Sequence, residues 1–227
     1  MISLLLPTYH RPDGLRKMVQ SARVTADKPD DLEFVVYIDH DDDSYSDLQL
    51  VDLGISNIIK GPKVPISDMW NECQKVASGD IYMQAADDII FTSQGWDTKV
   101  KEVFDRYEDK LVFVFGNDGH PSRGNNHGTH GFLHKRWVDT VGYFLPPGYV
   151  ADWSDQWLND VANALNRSVY VEGMNIEHLH PALGKGIYDK TYLEADIKRA
   201  ASRPDMLYVS ELPKREADIN KLKEKIK

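Results

Sequence analysis

Hydrophobic positions fall into short continuous runs that alternate with longer stretches of helical spacing. Ile2-Ser3-Leu4-Leu5-Leu6 opens the chain as one such run, with the length and pattern of a strand buried on both faces. Pro7-Thr8-Tyr9-His10-Arg11-Pro12 breaks it. Over residues 13–25, Leu15, Met18, Val19 and Ala22 recur at helical spacing and predict an amphipathic helix. A second apolar run over residues 32–38 predicts a second strand, ending in the acidic loop Asp39-His40-Asp41-Asp42-Asp43-Ser44. This strand–helix–strand order predicts an α/β fold with a doubly wound sheet flanked by helices. In such sheets ligands bind beyond the carboxyl ends of the strands.

The pattern continues through the middle of the chain. Residues 55–59 predict a short third strand, and residues 65–77 a helix with Ile66, Met69, Trp70, Cys73, Val76 and Ala77 along one stripe. Gly79-Asp80-Ile81-Tyr82-Met83-Gln84-Ala85-Ala86-Asp87-Asp88-Ile89-Ile90-Phe91 follows, a strand that runs into two adjacent carboxylates and a second apolar triplet. Charge held beside an interior is expensive unless compensated. A hard divalent cation carrying anionic phosphates is one compensation; a strand-end turn is the plainer use of Asp. Residues 93–107 predict a helix with Trp96, Val100, Val103, Phe104 and Tyr107 on one face, and residues 111–115 another buried strand.

From residue 117 to 131 almost all apolar content disappears. A polar loop of that length inside a compact domain is functional or mobile, and its His127-Gly-Thr-His130 segment suits a flap closing over a ligand. Structure returns over residues 132–142, and a Pro/Gly loop covers residues 143–150. A helix over residues 155–165 then turns Trp157, Leu158, Val161 and Leu165 inward. Residues 168–171 predict a late strand. Residues 176–181 form an extended segment placing His178 and His180 on one side, since side chains there repeat every second residue. Beyond Tyr188 the chain is charged, and residues 213–227 predict a solvated, lysine-rich helix.

Composition narrows the reading. The chain has 227 residues, 41% hydrophobic and 28% charged, which suits one globular domain with a real core. A formal net charge of −9 argues against a protein that mainly grips nucleic acid. A single cysteine, Cys73, excludes an intramolecular disulfide and a cysteine-rich zinc site. No apolar run is long enough to cross a bilayer and the first residues go straight into a strand, so the expectation is a soluble, cytoplasmic protein.

Taken together, four segments make the chain resemble the GT-A family 2 glycosyltransferases, which move a sugar from a nucleotide diphosphate to an acceptor. Residues 2–12 are similar to the family's opening strand and Pro-Thr-Tyr-x-Arg-Pro turn, and residues 35–44 to its strand ending in an aspartate for the nucleotide base. Residues 79–91 resemble the strand that carries the metal-binding Asp-x-Asp. Val141-Gly142-Tyr143-Phe144 with Asp152-Trp153-Ser154-Asp155 resembles the Val-Gly-Gly-Phe and Glu-Asp region. Two positions depart from the pattern: Ala85 stands where the family has the first acid of Asp-x-Asp, and Ser154 stands where Glu is usual.

The resemblance implies a GT-A domain over residues 1–187, with a mixed sheet, and a charged, mainly helical extension over residues 188–227. It implies a metal-dependent inverting transferase using a nucleotide-diphospho-sugar such as a UDP-sugar. Pro7, Thr8, Tyr9, Arg11, Asp39 and Asp87 would then contact the donor. Asp88 would hold Mn²⁺ or Mg²⁺ with His178 or His180, Asp87 being the other candidate ligand; histidine ligation favours manganese. Asp155 would be the catalytic base, with Asp152 as its alternative; Trp153 and Trp157 would flank the site, an aromatic face suiting a sugar ring or a nucleobase, while its helical spacing reads Trp157 as core. The acceptor stays open between a glycan, a protein and modified bases in DNA, and the C-terminal tail is a possible homo-oligomer contact. The missing acid at position 85 motivates a second reading, a nucleotide-sugar-binding protein without catalysis. A nucleotidyltransferase is a third, but Thr8-Tyr9-His10-Arg11-Pro12 lacks the Gly-rich phosphate loop it would need.

Overall fold

The computed structural model describes residues 1–55 and 57–227; Ser56, inside the expected third strand, lies outside the described residues. Eight strands are described. They are β1 (Ile2–Thr8), β2 (Leu32–Asp39), β3 (Asn57–Gly61), β4 (Ile81–Gln84), β5 (Ile89–Phe91), β6 (Phe113–Asn117), β7 (Phe132–His134) and β8 (Ser168–His178). They form one mixed sheet in the order β3-β2-β1-β4-β7-β6-β8-β5. β3, β2, β1 and β4 run parallel. β7 is antiparallel to both β4 and β6, and β8 returns parallel to β6.

Helices α1 (Pro12–Thr25), α2 (Asp47–Asp52), α3 (Ile66–Val76), α4 (Trp96–Asp105), α5 (Lys135–Val141), α6 (Ser154–Ala164), α7 (Lys190–Ser202), α8 (Pro204–Ser210) and α9 (Leu212–Lys223) surround it. β1 shows why the run Ile2–Leu6 reads as continuous rather than alternating. Ile2, Leu4 and Leu6 pack with α1 and α4 side chains in one layer, while Leu5 joins Met69, Trp70 and Cys73 of α3 in the other. Both faces of the strand are covered, so both faces are apolar.

The structure changes several expected elements. Residues 168–171 and 176–178 belong to a single strand, β8, which pairs β6 at its start and β5 at its end. A register shift where it passes Phe115 and Asn117 lets one strand serve both neighbours. The acidic stretch after β2 contains α2, started by a capping box between Ser46 and Gln49. The solvated-helix reading of residues 213–227 does not hold. α9 packs on α5 and α6, with Leu222, Arg215 and Asp218 buried. That stripe is spaced by only a few apolar residues among many charges, so its burial was invisible to periodicity. Among the described residues, no helix is long and apolar enough to cross a membrane.

Candidate active site

The carboxyl ends of β1, β2 and β4 open into a cleft of about 270 Å³. The donor, metal and base candidates named from the sequence line it: Pro7, Thr8, Tyr9, Arg11, Asp39, Asp87, Asp88, Asp155, His178 and His180. The turn after β1 is held by a left-handed His10, at φ 54°. A side chain in that region needs support, and Asp42 supplies it. Its Oδ2 accepts from the His10 amide at 2.7 Å and its Oδ1 lies 3.1 Å from the ring Nδ1. Asp42, within the acidic loop after β2, is therefore buried structure. The turn aims the Arg11 guanidinium into the cleft.

The two central aspartates have different surroundings. Asp87 is buried; Thr8 Oγ1 donates to it at 2.6 Å and Arg11 Nη1 at 3.1 Å. The hydroxyls of Tyr45 and Thr8 are 2.5 Å apart behind that contact. Burial and the neighbouring Asp88 charge push the Asp87 carboxyl up. Asp88 takes a hydrogen bond on Oδ2 from the Tyr192 hydroxyl at 2.5 Å and a longer one from Arg11 at 3.4 Å. Burial would raise its carboxyl too, but His178 and Tyr192 outweigh that and hold it well below the usual carboxylate range. Of the pair, Asp88 is the one whose surroundings most favour the ionised form.

His178 Nε2 stands 3.5 Å from Asp88 Oδ1. That is long for a hydrogen bond and suits two ligands of one ion with bonds of about 2.1 Å. His180 spends Nδ1 on the Ala182 amide, 3.1 Å away, and packs edge-on against His178 and Tyr192. Among the described residues no three His, Cys, Asp or Glu side chains converge tightly enough to enclose a cation by themselves. Asp88 and His178 fit a divalent ion that takes its remaining ligands from a phosphate and water, the habit of a hard cation at a nucleotide site. Asp39 Oδ1, Gln84 Oε1 and His130 Nε2 are buried around the same cleft with no partner among the described residues. An unmet buried polar atom costs about 1–3 kcal/mol, so the cleft is chemically set for a polar ligand.

On the opposite wall, Asp155 sits in the first turn of α6, where the helix dipole favours its ionised form. His127 Nε2 lies 3.0 Å from its Oδ2, and Arg123 Nη1 lies 3.9 Å from the same oxygen. Burial pushes the Asp155 carboxyl up, and His127 more than reverses that. Asp152, the alternative base, is engaged by Arg199. Trp153 does not face the cleft. It adopts φ 79° at the start of α6 and packs on Tyr208, with ring centroids 4.8 Å apart. Trp157 is core.

The loop over residues 117–131 is pinned. Asn159, fully inside, accepts from the Gly128 amide and donates to the Gly128 carbonyl, both at 2.8 Å. Gly128 and Gly131 lie so close to Phe115 and Phe113 that a Cβ would come within 2.5 and 2.0 Å of ring atoms. The glycines are what let this loop cross the strand's aromatic face.

Sequence reasoning missed the cleft's roof. Asp189 caps α7 and binds Arg11 with both carboxylate oxygens, at 2.7 Å each. Tyr192 bonds Asp88, its ring lies 4.3 Å beneath Arg11, and Thr191 Oγ1 donates to the Tyr9 carbonyl at 2.9 Å. The one available signal was Asp189 as a helix cap; nothing local says where the helix lands.

No protein-family model and no curated protein sequence matches the chain. Solved structures do match by shape. The mannosyltransferase PcManGT from Pyrobaculum calidifontis, in complex with GDP-Man and Mn²⁺, superposes with a TM-score of 0.64 over 96% of this chain and 73% of that one, at 13% identity. S. aureus TarS 1–349 gives 0.57 over 77% of this chain at 14% identity; this chain spans only 59% of that one. A Mycobacterium tuberculosis glucosyl-3-phosphoglycerate synthase, solved with Mn²⁺, UDP-Glc and phosphoglyceric acid, gives 0.56 over 81% of this chain and 74% of that one, at 13% identity. The fold is the GT-A arrangement of these proteins.

Proposed function

We propose that the protein is a metal-dependent inverting glycosyltransferase that moves a sugar from a nucleotide diphosphate, a UDP-sugar in our reading, to an acceptor hydroxyl. The observation that carries this is the placement of a cation-fitting pair, Asp88 and His178, and a carboxylate held ionised, Asp155, in one cleft at the sheet's carboxyl edge. The solved neighbours support it through their own ligands, GDP-Man with Mn²⁺ and UDP-Glc with Mn²⁺ among them.

Asp88 and His178 would hold Mn²⁺ or Mg²⁺. The ion would supply electrostatic stabilisation of the leaving diphosphate. Arg11 adds a fixed positive charge on the same side, oriented by Asp87 and Asp189. Asp39, at the end of β2, would accept from a nucleobase N–H through Oδ1, which has no partner among the described residues. Thr8 and Tyr9 complete that wall. Asp155 removes the proton from the acceptor hydroxyl as it attacks the anomeric carbon from the face opposite the diphosphate, which inverts that centre.

The test pairs binding with turnover. Calorimetry with UDP and Mn²⁺ is expected to show metal-dependent binding that Asp88→Ala abolishes. Asp155→Asn is expected to keep UDP affinity within about twofold and to lose at least 10²-fold in turnover of a UDP-sugar, the usual scale for a general base. Full turnover in Asp155→Asn would refute the base assignment. Tight UDP binding with no turnover by the unaltered protein would favour the binding-only reading.

A further inference from the structure

We infer that His127 is the positioning residue of Asp155, and that the loop over residues 117–131 exists to hold this imidazole against the carboxylate. The inference rests on Asp155 as the base and adds what makes that base work.

Both carboxylate oxygens of Asp155 are fixed. Oδ2 faces His127 Nε2 at 3.0 Å, and Oδ1 accepts from the Gln156 amide at 2.9 Å. A ring nitrogen at that distance from a carboxylate must carry its proton there, so the contact sets the tautomer as well as the plane of the carboxylate. Asp155 lines the cleft and His127 does not. The imidazole meets the base from the loop side, through Oδ2.

The support is built from several elements. Asn159 lies one helical turn after Asp155. It binds the Asp155 carbonyl at 2.8 Å and clamps both backbone groups of Gly128, the residue next to His127. Phe113 and Phe115 of β6 form the bed on which Gly131 and Gly128 lie. Arg123 bonds Thr129 at 2.6 Å, Thr129 bonds Asp118 at 2.8 Å, and the guanidinium thereby stays 3.9 Å from Asp155. The groups facing Asp155 are thus His127 and Arg123 from the loop and, from α8, Tyr208, whose own hydroxyl is engaged by Asp160. A flap that opens and closes over a ligand would not be fastened to the helix bearing the base.

The experiment follows the Asp155 carboxyl by ¹³C NMR titration in the unaltered protein, His127→Gln and His127→Ala, alongside hydrolysis of UDP-glucose with Mn²⁺. We expect Asp155 to titrate at least one pH unit higher in His127→Ala, with His127→Gln between the two because its amide can still donate. The acid limb of kcat/KM moves up with it, kcat falls at least tenfold, and calorimetric affinity for UDP with Mn²⁺ stays within twofold. An unchanged Asp155 titration in His127→Ala overturns the assignment, and so does a loss of UDP affinity at constant kcat, which would make the loop a donor-binding flap. Turnover surviving in Asp155→Asn would instead bring down the base itself, so the two failures are distinct.

Discussion

A buried aspartate beside a left-handed histidine shows how much one side chain carries. Asp42 ties the turn after β1 through His10 and through Ser44. Asp42→Ala is expected to lower stability by about 1–3 kcal/mol, the range for leaving such donors unmet, and to weaken UDP binding by releasing Arg11; urea melts and calorimetry check both. Cys73 is the opposite case. Burial pushes its thiol up to about 12, so a thiol reagent is expected to leave the native protein untouched and to consume one equivalent after denaturation. Asp155 governs acid behaviour. Its folded carboxyl lies below its ordinary value, so the stability it contributes is present above about pH 4 and is lost as pH falls through the lower folded value. The same sign favours the charged base at neutrality, and the rate–pH profile should fall on its acid side as Asp155 takes up its proton. The family resemblance named Asp155, Asp88 and His178 as candidates, with Asp87 and His180 as alternatives. It could not say that the two carboxyls are shifted in opposite directions, because that depends on His178 and Tyr192 arriving from distant parts of the chain.

Among elements, strands and core helices were legible because their apolar periodicity is a direct record of burial. β1, β2, α1, α3, α4 and α6 lie within a few residues of where spacing puts them. Elements that pack through polar contacts left no such record. The loop over residues 117–131 has a composition that reads as mobile, yet Asn159 and two glycine–phenylalanine contacts hold it. Asn159→Ala is expected to cost about 2 kcal/mol from the two backbone groups it strands and to open Arg123 to trypsin. Limited proteolysis with mass mapping reads this, and an equally resistant loop would show that the clamp is redundant. α7 is the extreme case: it has no buried residue and is fastened by Asp189, Thr191, Tyr192 and Arg199.

For the whole molecule, the residues beyond 187 pack against the rest of the chain. α9 completes one core layer with Leu222, and α7 roofs the cleft. Because that roof is held by ion pairs and hydrogen bonds over solvent, raised salt should loosen it. Tyr192→Phe together with Asp189→Asn is expected to speed amide exchange in residues 190–202 while leaving the melting temperature of the sheet within a few degrees; hydrogen-exchange mass spectrometry separates the two. A sheet that melts much earlier would mean α7 is part of the cooperative core. The fold class was readable from the start because it follows from the order of strands and helices. Closure of the cleft was not, because it joins chain ends whose contact no local pattern encodes.

Arg11 and Asp189 lie 178 positions apart. On the ribosome, the first four strands can pair long before the residues that cover Asp88 have left the exit tunnel. Asp189 and Tyr192 therefore join Arg11 and Asp88 only after every strand has been made, and a chain stalled before α7 would lack both contacts.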